Sequence, residues 1–190
     1  MRENSRNLIL ASLIVLASSL ESQAQQGARS PRRLVVSIPD CKLALVENDR
    51  VLKVYSTAVG APSSPSPTGE FTVCHRITQP AYYHPGKVIP PGKGNPLGTR
   101  WLGLSLKGFG IHGTNEPKSI GKPRSHGCIR LRNRDIEELF NLVSIGDVVE
   151  FHGEIDQRTQ DIFKNHGSGS ISSSQRSTFE VAATANRSVN

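Results

Sequence analysis

A mainly β domain with one principal helix and a long loop is the fold class this 190-residue chain predicts. Three observations carry it. Short runs of β-branched and apolar residues alternate with tight-turn pairs. Two Pro- and Gly-rich stretches exclude regular structure. Only one segment has convincing helical periodicity.

The elements follow in order. Leu34–Ile38 is a short strand, and Pro39-Asp40 turns the chain into a second one, Leu43–Glu47. Asn48-Asp49 is a further turn signal before a third strand, Val51–Val59. Short strands joined by tight turns predict an antiparallel meander. Gly60–Gly69, rich in Pro and Ser, is loop, and Glu70–Thr78 resumes strand character. Gln79–Arg100 is studded with Pro and Gly, and its Tyr82, Tyr83 and His84 suggest an ordered loop with something to contact. Loops of that length in compact domains are functional or disordered more often than idle. Trp101–Leu106 and Gly108–His112 read as strands. In Asn133–Val143, residues Ile136, Leu139, Phe140 and Val143 form one apolar stripe at i, i+3, i+4, i+7. Asn133 is the expected N-cap, and the early acids suit the helix dipole. Val148–Phe151 closes the domain.

The organisation expected is a signal peptide at 1–24, a linker at 25–33, one folded domain at 34–152 and a flexible, low-complexity tail at 153–190. Arg2 and Arg6 precede an uncharged run, Leu8–Leu20, and Ser22-Gln23-Ala24 supplies small residues for cleavage. The run is short for a membrane span, which needs about 20 apolar residues, so none is expected after cleavage. From 153 onward Ser, Gly, Gln and Asn dominate, the composition of a segment without a core.

The formal net charge is +7. For an exported protein this suits an anionic envelope polymer. The cations are scattered and no nucleic-acid motif accompanies them, so nucleic acid is not an expected partner. An odd number of cysteines, Cys41, Cys74 and Cys128, leaves one thiol unpaired within the chain. A Cys41–Cys74 disulfide and two separate buried thiols are both open.

Chemistry concentrates in Ile111–Arg132, which holds His112, His126 and Cys128. A thiol is a strong nucleophile only as thiolate, so it needs a base or cation nearby. His126 stands two residues before the cysteine. His112 stands sixteen before it, a separation that lets a loop bring the chain back, and it is the preferred base. Gly127 allows close backbone approach, which makes the Gly127 and Cys128 amides candidate oxyanion donors. Competing readings are zinc ligation by His112, His126 and Cys128, which lacks paired-ligand spacing, an inert Cys128, and a structural His126.

Ser125-His126-Gly127-Cys128 with Ile111-His112-Gly113-Thr114 resembles the YkuD-type L,D-transpeptidase catalytic domain. Leu43–Glu47, Pro67–Phe71, Pro90–Gly92, Asn95–Trp101 and Ser119–Gly121 resemble further blocks of that family, in order. The resemblance covers about Leu34–Phe151 and implies a mainly β catalytic domain at 34–152, of mixed β-sheets, with the cysteine in a groove beneath the long loop. It implies that Cys128 attacks the carbonyl between the third residue, at its L-centre, and the terminal D-alanine of a peptidoglycan stem tetrapeptide. An amine then resolves the thioester. It implies His112 as base, oriented by the Gly113 carbonyl, and oxyanion donors from the backbone of His126, Gly127 and Cys128. Ser125 and Arg130 are the expected substrate-binding residues.

Many family members have Asn where this chain has Arg130. A guanidinium there suits a substrate carboxylate, or a structural ion pair. No metal or organic cofactor is implied. Expected partners are peptidoglycan stem peptides, an envelope lipoprotein as a further acceptor, and a carbapenem as covalent inhibitor. The expected state is a monomer in the periplasm or envelope. An L,D-carboxypeptidase and a non-catalytic wall-binding module are the alternatives.

Overall fold

The structure, a computed structural model, describes residues 32–164. The signal peptide at 1–24, the linker up to 31 and the tail beyond 164 lie outside the described residues. Strands β1 (Arg32–Ser37), β2 (Lys42–Glu47) and β3 (Arg50–Ser56) form the expected antiparallel meander. Arg32 and Arg33, expected in the linker, already pair in β1. Asn48 and Asp49 take positive φ angles of 50° and 58° in the second turn, a region that Asn and Asp tolerate better than most residues. The expected third strand divides: β3 ends at Ser56, and Val59–Gly60 forms β4, which pairs in parallel with β10 (Pro123–Ser125).

Strand β5 (Gly69–Thr78) joins two halves of the sheet. Its first residues pair with β12 (Val148–His152), and from Val73 onward it pairs with β8 (Arg100–Leu104). The register shifts between Val73 and His75. A bulge of this kind bends a strand and increases its twist. With β9 (Gly110–His112) and β11 (Ile129–Arg130), the eight-stranded order is β11-β9-β8-β5-β12-β1-β2-β3. β9 and β11 run parallel.

Helix α1 (Asn133–Leu142) covers the inner face through Ile136 and Leu139. They join Leu34, Val36, Leu43, Leu45, Leu102, Ile111 and Ile129 in the main core. Fully burying one such side chain contributes about 1.5–3 kcal/mol. The helix's N-cap is Arg132, without a side-chain cap bond. Asn133, expected to cap, instead turns its carboxamide toward the loop after β9.

The opposite face of β1 and β2 is covered too. Val35, Ala44 and Val46 pack with Ile162 and Phe163 of a second helix, α2 (Gln157–Lys164). This corrects the flexible tail as far as Lys164. The Asp156 carboxylate accepts from the Thr159 amide at 2.7 Å and so caps α2. That bond, with one from the Thr159 hydroxyl, holds the carboxyl below its usual range.

The long loop is ordered by Asn95, which is fully buried. Its Nδ2 donates to the carbonyls of Pro80, Ile89 and Pro90, and its Oδ1 accepts from the Leu97 amide. Between these anchors the chain forms a hairpin, β6 (Tyr82–His84) with β7 (Lys87–Ile89). Tyr83 and Val88 at its tip are exposed.

Candidate active site

The sheet register builds the site. Across β8, β9 and β11, Leu102, Ile111 and Ile129 are fully buried in the core. Their chain neighbours Trp101, His112 and Arg130 therefore face the other way, because side chains alternate along a strand. Trp101 pairs with His112, and His112 pairs with Arg130. Cys128 stands immediately before β11, and it and His112 line one groove of about 650 Å³.

His112 is buried, at 4% exposure. Its Nδ1 lies 2.6 Å from the Gly113 carbonyl oxygen. A carbonyl only accepts, so Nδ1 carries the proton and Nε2 keeps its lone pair. Trp101 stacks on the imidazole, with ring centroids 5.5 Å and planes 25° apart. Burial lowers the His112 pKa to about 4; the Gly113 bond opposes this and the Arg130 cation adds to it. The ring is neutral at physiological pH.

Cys128 is half-buried, and like the buried Cys41 and the half-buried Cys74 it forms no disulfide. Burial pushes the Cys128 thiol up, while the Gly110 amide and Arg130 pull it down. The thiol donates weakly to the Gly108 carbonyl at 3.6 Å. The resting pair is therefore a thiol and a neutral imidazole.

The loop before Cys128 is pinned from both sides. The Ser66 hydroxyl accepts from the Gly60 amide and donates to the Gly127 carbonyl, each at 2.8 Å. The Ser125 hydroxyl accepts from the Gly127 amide at 3.1 Å and donates to the Cys128 carbonyl at 2.5 Å. Gly127 has φ of 107° and the Phe109 ring beside it, a conformation and clearance that favour glycine.

Ser125 is 2% exposed; its hydroxyl braces the loop, and the residue also lines the groove. One expectation needs correction: the Gly127 amide donates to the Ser125 hydroxyl rather than standing free for an oxyanion. His126 is exposed and lines the groove. Arg130 pairs with Glu116 at 3.1 Å, the structural reading of that arginine, while its side chain still lines the groove.

Sequence reasoning passed over Trp101, Glu116, Ser66 and Asn133 as site residues. Trp101 had a signal: it stands near a strand start that pairs with the histidine strand. Ser66 sits in a Pro/Ser loop with nothing to distinguish it. Among the described residues no group of three His, Cys, Asp or Glu side chains is placed to hold a metal ion. No helix among them is long and apolar enough to cross a membrane.

Residues 31–151 match the family model of the YkuD L,D-transpeptidase catalytic domain, and the chain belongs to that family. It is 43% identical over 116 residues to the putative L,D-transpeptidase YkuD of Bacillus licheniformis, covering 61% of this chain and 62% of that protein's length. Its fold is similar to an L,D-transpeptidase from Mycobacterium smegmatis, with TM-score 0.56 and 21% identity, covering 65% of this chain and 59% of the other. It is also similar to the transpeptidase LdtMt1 in complex with imipenem, at TM-score 0.55 and 21% identity over 65% and 59% of the two chains.

Proposed function

We propose that this chain is a peptidoglycan L,D-transpeptidase working through a Cys128 thioester. The observation that supports the reading is that Cys128 and His112 line one groove, with Nδ1 of His112 committed to Gly113. That leaves Nε2 as the acceptor for the thiol proton.

The reaction starts from a neutral pair. As Sγ attacks the carbonyl carbon at the L-centre–D-alanine bond, the thiol proton passes to Nε2. The His126 and Cys128 amides are the candidate donors to the oxyanion. Collapse breaks the C–N bond, and Nε2 returns the proton to the leaving amine of D-alanine. An acceptor amine then attacks the thioester, its proton moves through Nε2 to sulfur, and a new amide forms. Arg130 favours thiolate over thiol and neutral imidazole over imidazolium, so it assists both attack and proton return.

The substrate is a stem tetrapeptide, and the acceptor is a second stem or an envelope lipoprotein amine. The enzyme is exported, acts in the periplasm or envelope as a monomer, and uses no cofactor. The imipenem complex of a fold neighbour supports carbapenems as acylating inhibitors of Cys128.

Incubation with tetrapeptide muropeptides, with and without an added amine, tests the reading. Release of D-alanine with a cross-linked product supports it. Release of D-alanine alone indicates the carboxypeptidase, and no release overturns both.

A further inference from the structure

We propose that Asn133, the first residue of α1, is a positioning residue that sets the orientation of His112. The proposal rests on the reading of His112 as base.

The Asn133 Oδ1 accepts from the Thr114 amide at 3.0 Å. Thr114 N–H and Gly113 C=O are opposite ends of one planar peptide. The carbonyl end of that peptide accepts the His112 Nδ1 proton at 2.6 Å. The carboxamide therefore grips one end of the plane whose other end selects the tautomer and the tilt of the ring. Rotation of the peptide would break both bonds together.

The surroundings are built to admit that oxygen. A Cβ on Gly98 would lie 2.1 Å from Asn133 Oδ1, and one on Gly113 would lie 2.3 Å from it. Both are far inside contact distance, so only glycine at 98 and 113 leaves the slot open. Asn133 also belongs to a helix anchored in the core by Ile136 and Leu139. The grip is thus referred to the rigid part of the domain, while Trp101 restrains the ring on its face.

The test measures acylation of Cys128 by a carbapenem across pH 4–9, with melting temperature, for the parent, H112A, N133A and N133D. N133A loses the acceptor and is expected to slow acylation roughly tenfold to a hundredfold, the scale of a misplaced catalytic group. N133D keeps the acceptor and adds negative charge near the imidazole. It is expected to react near the parental rate at pH 8 while its acid limb moves to higher pH. A merely structural role would not give the contrast between a slow N133A of parental melting temperature and an N133D that recovers the rate.

A parental rate in N133A beside an impaired H112A overturns the proposal and leaves the base assignment standing. So does N133D as slow as N133A at pH 8. An unimpaired H112A removes the reading beneath it. Should N133A not fold, N133D decides: its acid limb shifts upward with rate retained, or the proposal fails.

Discussion

Arg130 and His112 occupy one rung of the parallel pairing between β11 and β9, which sets a permanent cation beside an imidazole that burial already keeps neutral. The same cation lowers the thiol of Cys128. Replacing it with R130Q should raise both groups. The acid limb of Cys128 acylation, set by His112, is expected to move to higher pH, and so is the further rise in rate that accompanies ionisation of the thiol. A pH–rate profile against a carbapenem checks this; limbs that stay in place would contradict it.

Stability should also depend on His112. Its folded pKa of about 4 lies below the unfolded value of 6.5. Between those values the unfolded chain binds a proton that the folded one refuses, so stability falls as pH drops from about 6.5 to about 4. The full shift corresponds to about 3 kcal/mol. Above pH 6.5 both states are neutral and the effect vanishes. Denaturant melts of the parent and H112Q should therefore diverge in pH slope within this window and run parallel above it.

Helix α2 should be part of the folded unit. Phe163 is 4% exposed against the outer face of β1 and β2. F163A should cost about 3–4 kcal/mol by urea denaturation. A cost below about 0.5 kcal/mol, ordinary for a surface site, would return this segment to the status of a tail.

The long loop should depend on Asn95. N95A removes the donor shared by three carbonyls. A cost of about 1–3 kcal/mol is expected, with faster protease cleavage between Gln79 and Arg100. Cleavage rates equal to the parent would show that the hairpin is held by other contacts.

The contrast between these elements explains what the sequence disclosed. The meander and α1 were readable because turn pairs and a single apolar stripe report local geometry. Covered faces were also written in the chain: Leu34-Val35-Val36 and Leu43-Ala44-Leu45-Val46 do not alternate, as strands buried on both faces do not. Thr159, Ile162 and Phe163 at helical spacing supply the second cover, but the polar residues around them masked it.

At the site, Cys128 and His112 stood out by residue type. Their common groove did not, because it follows from β9 and β11 pairing across a loop. The bracing role of Ser125 was not readable, because a hydroxyl two residues from a glycine reads alike whether it holds the loop or meets a ligand. Asn133 read as a cap because cap preference is local, and its partner Thr114 is nineteen residues away.

The pairing of Cys128 with His112 is tested most directly by intact-protein mass spectrometry during meropenem exposure. One adduct on Cys128 is expected, absent in C128A. In H112A it should form roughly a hundredfold or more slower, as loss of a general base typically costs. An H112A variant that acylates at the parental rate, or a parent that forms no adduct, would contradict the account.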